Sequence, residues 1–238
     1  MFIAIESKNL PKGLTRLELD CGTINTNSRL FKDKDKVYKF YHQCLPFRYA
    51  SEMHALSQQD IPHALFPEAF IINDKHQIIG DVTPFIENSQ TLTQKTQFYN
   101  PQRSINDRIP KMYQLISFVD ALNRLKYYHN DLHSDNFLST DANIYAIDLV
   151  GIRKKEDVSE HQKHLNEILL SYLFGLSRNE VDTLLTDQNY RLQESLYFAP
   201  KFIDFLINGV KESNDLVLDE LYDHDKEASK LHDLGKLI

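Results

Sequence analysis

No stretch of this 238-residue chain is long and apolar enough to cross a bilayer, and no internal repeat or low-complexity segment is visible. The start, Met-Phe-Ile-Ala-Ile-Glu, lacks a basic leader and carries few apolar residues, so neither a secretory signal nor a membrane span is expected there. Cysteine is scarce. Cys21 and Cys44 form no ligand cluster, and they fit a reduced, cytoplasmic setting better than a disulfide framework. Basic charge is in deficit: 27 Lys and Arg against 34 Asp and Glu give a net charge of −7. Binding a phosphate backbone needs a basic face, so nucleic acid is disfavoured as the main partner.

What is present is an ordinary globular composition, 42% hydrophobic and 26% charged, in a chain long enough for one domain or two small lobes. Residues 14–41 read as strands. Leu14, Leu17 and Leu19 run into Asp20-Cys21-Gly22-Thr23, and Ser28-Arg29-Leu30-Phe31 restarts a strand. Residues 32–36 are a charged turn, and Val37–Tyr41 form the next strand. In that strand the Lys39 ammonium is flanked by Tyr38 and Phe40. Either it faces outward, or it is held among apolar groups and needs a partner. Tyr49, Ala50, Met53 and Leu56 give a helical stripe that carries Glu52, which is that partner or is solvent-exposed. Ala69–Ile72 and Gln77–Gly80 read as a hairpin, with Asp81–Asn88 as the last strand and a connector. Residues 93–108 are polar, with a loop signal at Asn100-Pro101. From Pro110, Tyr113, Leu115, Ile116, Val119, Leu122 and Leu125 recur at helical spacing. A helical pattern resumes near residue 161 with Leu165, Ile168, Leu169, Tyr172 and Leu173, and residues 176–238 read as helices without motifs.

The informative stretch is residues 127–151. His129 and Asp131 are followed by Asn136, and Asp148 ends the apolar run Ile144–Ile147. A polar loop, a short strand and a terminal carboxylate can hold a divalent cation and a polyphosphate. A rival reading puts His129, Asp131 and His133, spaced by two on an extended backbone, on one face as a transition-metal site. It leaves Asn136, Asp148 and Lys39 without a role. Asp135 and Asp141 fit solvated turns.

His-Asn-Asp-Leu-His-Ser-Asp-Asn at 129–136 resembles the His-Arg-Asp-Leu-x-x-x-Asn catalytic loop of protein kinases and of their relatives, the aminoglycoside and choline kinases. Asp148-Leu149-Val150 stands where that superfamily has Asp-Phe-Gly. The resemblance covers roughly residues 14–175, and its specific part is 129–151 with Lys39. It implies an α+β, two-lobed kinase-like fold. A small antiparallel-sheet lobe with one main helix would span residues 1–88, and a mostly helical lobe residues 89–238.

The resemblance also implies roles. Asp131 would accept or orient the proton of an acceptor hydroxyl, and Asn136 and Asp148 would bind Mg²⁺ on ATP. Lys39, fixed by Glu52, would hold the phosphates. His129 would prop the loop, and His133 would meet substrate or phosphate. Gly22, Asn25 and Ser28 stand in the place of a glycine-rich phosphate loop, where a single glycine departs from the pattern and side chains would do the donating. Phe85 and Ile86, after Pro84, stand where the superfamily's connector binds adenine, although Phe85 also reads as core. The short segment after Asp148 has no Ala-Pro-Glu signal, so a full activation segment is not expected. The implied activity is phosphoryl transfer from ATP to a hydroxyl, in first place a protein serine or threonine. A small-molecule acceptor is the alternative. An interaction module without activity is the other, with Leu149-Val150 and the poor glycine loop in its favour.

Overall fold

The computed structural model describes residues 3–17, 28–92 and 105–155, together with helical positions 161, 164, 165, 167–169 and 172. The architecture is mixed α+β, and the chain divides into two compact units, Met1–Ser89 and Gln90–Ile238. Among the described residues no helix is long and apolar enough to cross a membrane.

The first unit holds β1 (Ile3–Glu6), β2 (Thr15–Arg16), β3 (Ser28–Asp33), β4 (Lys36–Leu45), α1 (Arg48–Ser57), β5 (Ala69–Ile72) and β6 (Ile78–Pro84). They build one six-stranded sheet in the order β1-β5-β6-β4-β3-β2. All neighbours are antiparallel except β1 and β5. The charged stretch 32–36 turns over Lys34, whose φ of 53° is left-handed, and this closes the β3–β4 hairpin. Alternation along the strands puts Tyr38, Ala69, Ile71 and Val82 into one buried cluster, with Phe31 edge-on to Phe40 at 5.6 Å. Helix α1 buries Tyr49, Ala50, Met53 and Leu56, the four positions of its apolar stripe. Tyr49 packs edge-on to Phe70 at 6.1 Å, so α1 covers the opposite face of the sheet.

Two expectations shift here. The segments 77–80 and 81–88 do not divide at Gly80: β6 runs unbroken from Ile78 to Pro84. Gly80 lies inside it because the backbones approach closely. A Cβ there would sit 2.2 Å from the Lys39 carbonyl oxygen. The start of the chain also contributes a strand, β1, which pairs in parallel with β5 from Ile3–Ala69 to Glu6–Ile72.

In the second unit β7 (Gln90–Thr91), β9 (Phe137–Ser139) and β10 (Ile144–Ala146) form a three-stranded sheet, and β8 (Tyr127–His129) pairs with β11 (Ile152–Lys154). Helix α2 spans Ile105–Arg124 and so starts five residues before Pro110, which lies inside it. Its buried face is Met112, Leu115, Ile116, Phe118, Val119 and Leu122, whereas Tyr113 is exposed. Phe118 meets Phe137 edge-on at 5.8 Å, which ties α2 to β9. Leu165, Ile168, Leu169 and Tyr172 are buried at helical spacing, and Leu173 lies outside the described residues.

Gly80→Ala is expected to destabilise the first unit by about 1–3 kcal/mol, because the contact it creates is with backbone that has no rotamer to change. Denaturant unfolding of the variant checks this, and a stability equal to wild type would contradict the close approach of β6 to β4.

Candidate functional site

The second unit assembles a cluster from two segments, 129–136 and 147–151. Strand β8 ends at His129, and β11 returns antiparallel with Ile152 opposite His129 and Arg153 opposite Tyr128. The Asn130 N–H donates to the Gly151 carbonyl at 3.0 Å. The residues after Asp148 are thereby laid alongside those before Asp131. The second link is the Ile147 N–H, which donates to the Asn136 carbonyl at 2.8 Å and sets Asp148 one residue beyond a bond to Asn136.

His129 is the third link. Its ring is 1% exposed, and Nδ1 accepts from the Asp131 N–H at 3.2 Å. The neutral ring therefore carries its proton on Nε2, and its hydrogen bond to the Asp148 backbone is a donation to that carbonyl. One imidazole bridges the two segments. Gly151 makes room for it: a Cβ there would lie 3.2 Å from both Cε1 and Nδ1 of the ring. Burial pushes the His129 pKa down to about 4, against the smaller opposing pull of Asp148 and Asp131.

Asp131 is exposed, its side chain 66% accessible, so the carboxylate is available to an incoming group. His133 Nδ1 accepts from the Asp135 N–H at 3.2 Å, and Nε2 faces Asp131 Oδ1 at 3.3 Å. Asn136 is buried, and its Nδ2 donates to the Asp131 carbonyl at 2.7 Å while lying 3.4 Å from Oδ2 and 3.2 Å from His133 Nε2. Facing a carbonyl and a carboxylate, that amide must present its NH₂ side to them. Its Oδ1 is turned elsewhere and remains an oxygen donor. Asp148 is half-buried with φ 55° and ψ 47°, the left-handed region where aspartate is among the tolerated non-glycine residues. A local turn of this kind at a charged residue marks a site where geometry outweighs backbone comfort. Asp141 lies exposed in the β9–β10 turn, and Asp135 is half-buried.

Helix α2 clamps the hairpin that joins Asn136 to Asp148. The buried Lys111 donates to Ser139 Oγ at 3.1 Å and to the Thr140 carbonyl at 2.5 Å. Gln114 Oε1 accepts from the Ile144 N–H at 2.7 Å, and its Nε2 donates to the Ala142 carbonyl at 3.2 Å. Sequence reasoning placed neither residue. Their only signal is a charged and an amide side chain at three-residue spacing on the apolar side of the helix.

An oxygen-donor set of Asp148 and Asn136 fits magnesium, which binds through one or two protein oxygens plus phosphate and water. The transition-metal alternative fares worse. Both ring nitrogens of His129 are engaged, and among the described residues no group of three His, Cys, Asp or Glu is placed to hold a metal.

In the first unit Lys39 is half-buried on β4, with its Nζ 5.9 Å from the Tyr41 ring centroid. Glu52 is exposed on α1, and no ion pair joins it to another described residue. The carboxylate opposite Lys39 is Asp81 of β6, which is 4% exposed and accepts a hydrogen bond from Tyr41 Oη. The sequence reading missed Asp81 because it placed a strand boundary there. Phe85 is half-buried rather than core, with Lys32 Nζ 3.3 Å above its ring, and its N–H donates to the Asp35 carbonyl at 2.7 Å. Ile86 is half-buried, and its carbonyl accepts from Ser89 Oγ at 2.7 Å. Ser28 is buried at the start of β3, opposite Tyr41. Gly22 and Asn25 lie outside the described residues.

No protein-family model matches this chain, and no curated protein matches it.

His129 makes stability depend on pH. The folded ring stays neutral down to about pH 4, whereas the unfolded chain takes up that proton near 6.5. The unfolded state binds more protons between these values, so stability is full above the higher and is lost as pH falls toward the lower. The His129 contribution is about 3 kcal/mol. His161, fully buried and pushed down to about 3 mainly by burial, acts in the same direction. Denaturant unfolding at about pH 7 and about pH 4.5 is expected to show a loss of several kcal/mol, most of it absent in a His129→Gln, His161→Gln variant. Equal stability at the two pH values would contradict the buried neutral rings.

Proposed function

We propose that this protein is an ATP- and Mg²⁺-dependent phosphotransferase of the two-lobed kinase-like fold, moving the γ-phosphoryl group of ATP to a hydroxyl. The observation that supports this best is the joining of Asp131, Asn136 and Asp148, seventeen positions apart along the chain, through His129 and the Ile147–Asn136 bond. The small sheet with one main helix between β4 and β5 accords with it, as does the lysine in β4.

The reaction asks for positioning and charge stabilisation more than for covalent chemistry. Asp131 accepts or orients the proton of the acceptor hydroxyl, whose oxygen forms the new bond to phosphorus as the bond to the ADP oxygen breaks. His133, facing Oδ1, holds the Asp131 carboxylate in orientation. Asp148 and Asn136 would hold Mg²⁺, which when bound would offset charge on the phosphate oxygens. Lys39 is assigned to the phosphates by the resemblance alone. Phe85 and Ile86 are assigned to the adenine.

A protein serine or threonine is the acceptor in the first reading, in a cytoplasmic setting. One observation favours a small-molecule acceptor instead. Strand β11 ends at Lys154 and helical backbone is reached again at His161, which leaves little length for a peptide platform after Asp148.

Calorimetry with ATP, with and without Mg²⁺, tests the assignment. Wild type is expected to bind ATP with a strong metal dependence. Asp148→Ala is expected to lose that dependence and at least about 1.4 kcal/mol of affinity, a factor of ten, while remaining folded. Affinity and metal dependence unchanged in Asp148→Ala would remove that residue from the site. Absence of ATP binding by wild type would leave an interaction module as the reading.

A further inference from the structure

We infer that Asp81, held by Tyr41, is the residue that positions Lys39, so that the lysine is set by strand pairing within the sheet and not by a carboxylate from helix α1. The use made of Lys39 rests on the phosphotransfer reading; the pairing itself does not.

The register carries the argument. Phe70, Asp81, Lys39 and Leu30 stand opposite one another across β5, β6, β4 and β3. Directly opposed residues of antiparallel strands share a face, with Cβ atoms about 4.5–5.5 Å apart. Phe70 meets Tyr49 of α1, so this row faces the helix and is sheltered by it. Asp81 is 4% exposed there, and a buried carboxylate needs both donors and a countercharge. Tyr41 Oη supplies a donor, and Tyr41 lies two residues along β4 from Lys39 on the same face. The Lys39 Nζ is 5.9 Å from the Tyr41 ring centroid. Of the groups opposite Lys39 on the neighbouring strands, Leu30 is apolar and Asp81 is the acid. Gly80 adds a second constraint, because its lack of a side chain lets β6 close against the Lys39 carbonyl.

In protein kinases the strand lysine is held by a helix carboxylate, and moving that helix controls activity. Here Glu52 is exposed on α1. A lysine held by the adjacent strand stays in place wherever α1 moves, so this device predicts an activity that is not gated by the helix.

The full-length chain is tested by brief acylation with an amine-reactive ester at about pH 8, reading the rate at each lysine by peptide mass spectrometry. A carboxylate that holds an ammonium in a hydrogen-bonded pair shields it from the ester, and releasing it exposes the amine to acylation. Asp81→Asn is expected to accelerate Lys39 several-fold, leaving Lys32 and Lys36 unchanged; Glu52→Gln is expected to change none of the three, and Asp81→Glu to retain the slow rate. No acceleration of Lys39 in Asp81→Asn, or an equal one in Glu52→Gln, overturns the inference. Should Asp81→Asn open the sheet, so that all three lysines accelerate, a stability cycle with Lys39→Met decides. Relief of the Asp81→Asn defect by removing the lysine charge supports the pair, and simple additivity overturns it. ATP affinity is measured on the same variants and is expected to fall several-fold in both Asp81→Asn and Lys39→Met. A selective Lys39 acceleration with ATP affinity untouched in both would keep the pair and end the phosphotransfer reading.

Discussion

The second unit depends on a neutral imidazole. His129 accepts a hydrogen bond from the Asp131 N–H and donates one to the Asp148 carbonyl, so two segments that carry the candidate chemistry hang on the two nitrogens of a single ring. Such a bridge works only if the ring is uncharged, because a protonated ring would offer a donor where an acceptor is needed. Burial enforces this by lowering the ring's proton affinity, and Gly151 enforces the geometry by leaving no side chain to displace the ring. The exposed Asp131 carboxylate and the half-buried Asp148 are then presented by backbone that cannot move independently. The α2 clamp on the β9–β10 turn supports the same arrangement from behind, through Lys111 and Gln114.

The first unit solves a related problem with strand register. A half-buried ammonium on β4 and a buried carboxylate on β6 are placed opposite by pairing that runs from Lys36–Pro84 to Phe40–Gly80. The close approach at Gly80 and the hydrophobic cluster on the other face hold that register, since a slip by one residue would turn Tyr38 and Val82 out of the core. Polar chemistry on one face is thus fixed by apolar packing on the other.

How much of this was legible in the sequence follows from how local each feature is. Asp131, Asn136 and Asp148 are separated by a loop, a short strand and a tight turn, all written in a few residues, and their spacing could be read directly. The buried stripe of α1 was equally local. Glu52 was selected because it lay on that helix, but it stands off the buried stripe and faces solvent. Asp81 could be found only through the pairing of β4 with β6, a contact between residues far apart in sequence, and a supposed boundary at Gly80 concealed it. The same holds for β1, whose four residues become a strand by lying beside β5. The α2 start was misplaced because Pro110 reads as a helix beginning, whereas here it lies inside the helix.

The proposed reaction is phosphoryl transfer at the cluster around His129, with Asp131 acting on the acceptor hydroxyl. The most direct measurement is turnover of labelled ATP against a panel of proteins and small alcohols, with ATP affinity recorded in parallel, for wild type and Asp131→Asn. A group that acts in the transition state affects rate more than ground-state binding. The account predicts a fall in turnover of about 10²–10⁴-fold with the ATP dissociation constant changed by less than about tenfold. Wild-type turnover no higher than a reaction without protein across the whole panel, or Asp131→Asn turnover equal to wild type, would contradict it.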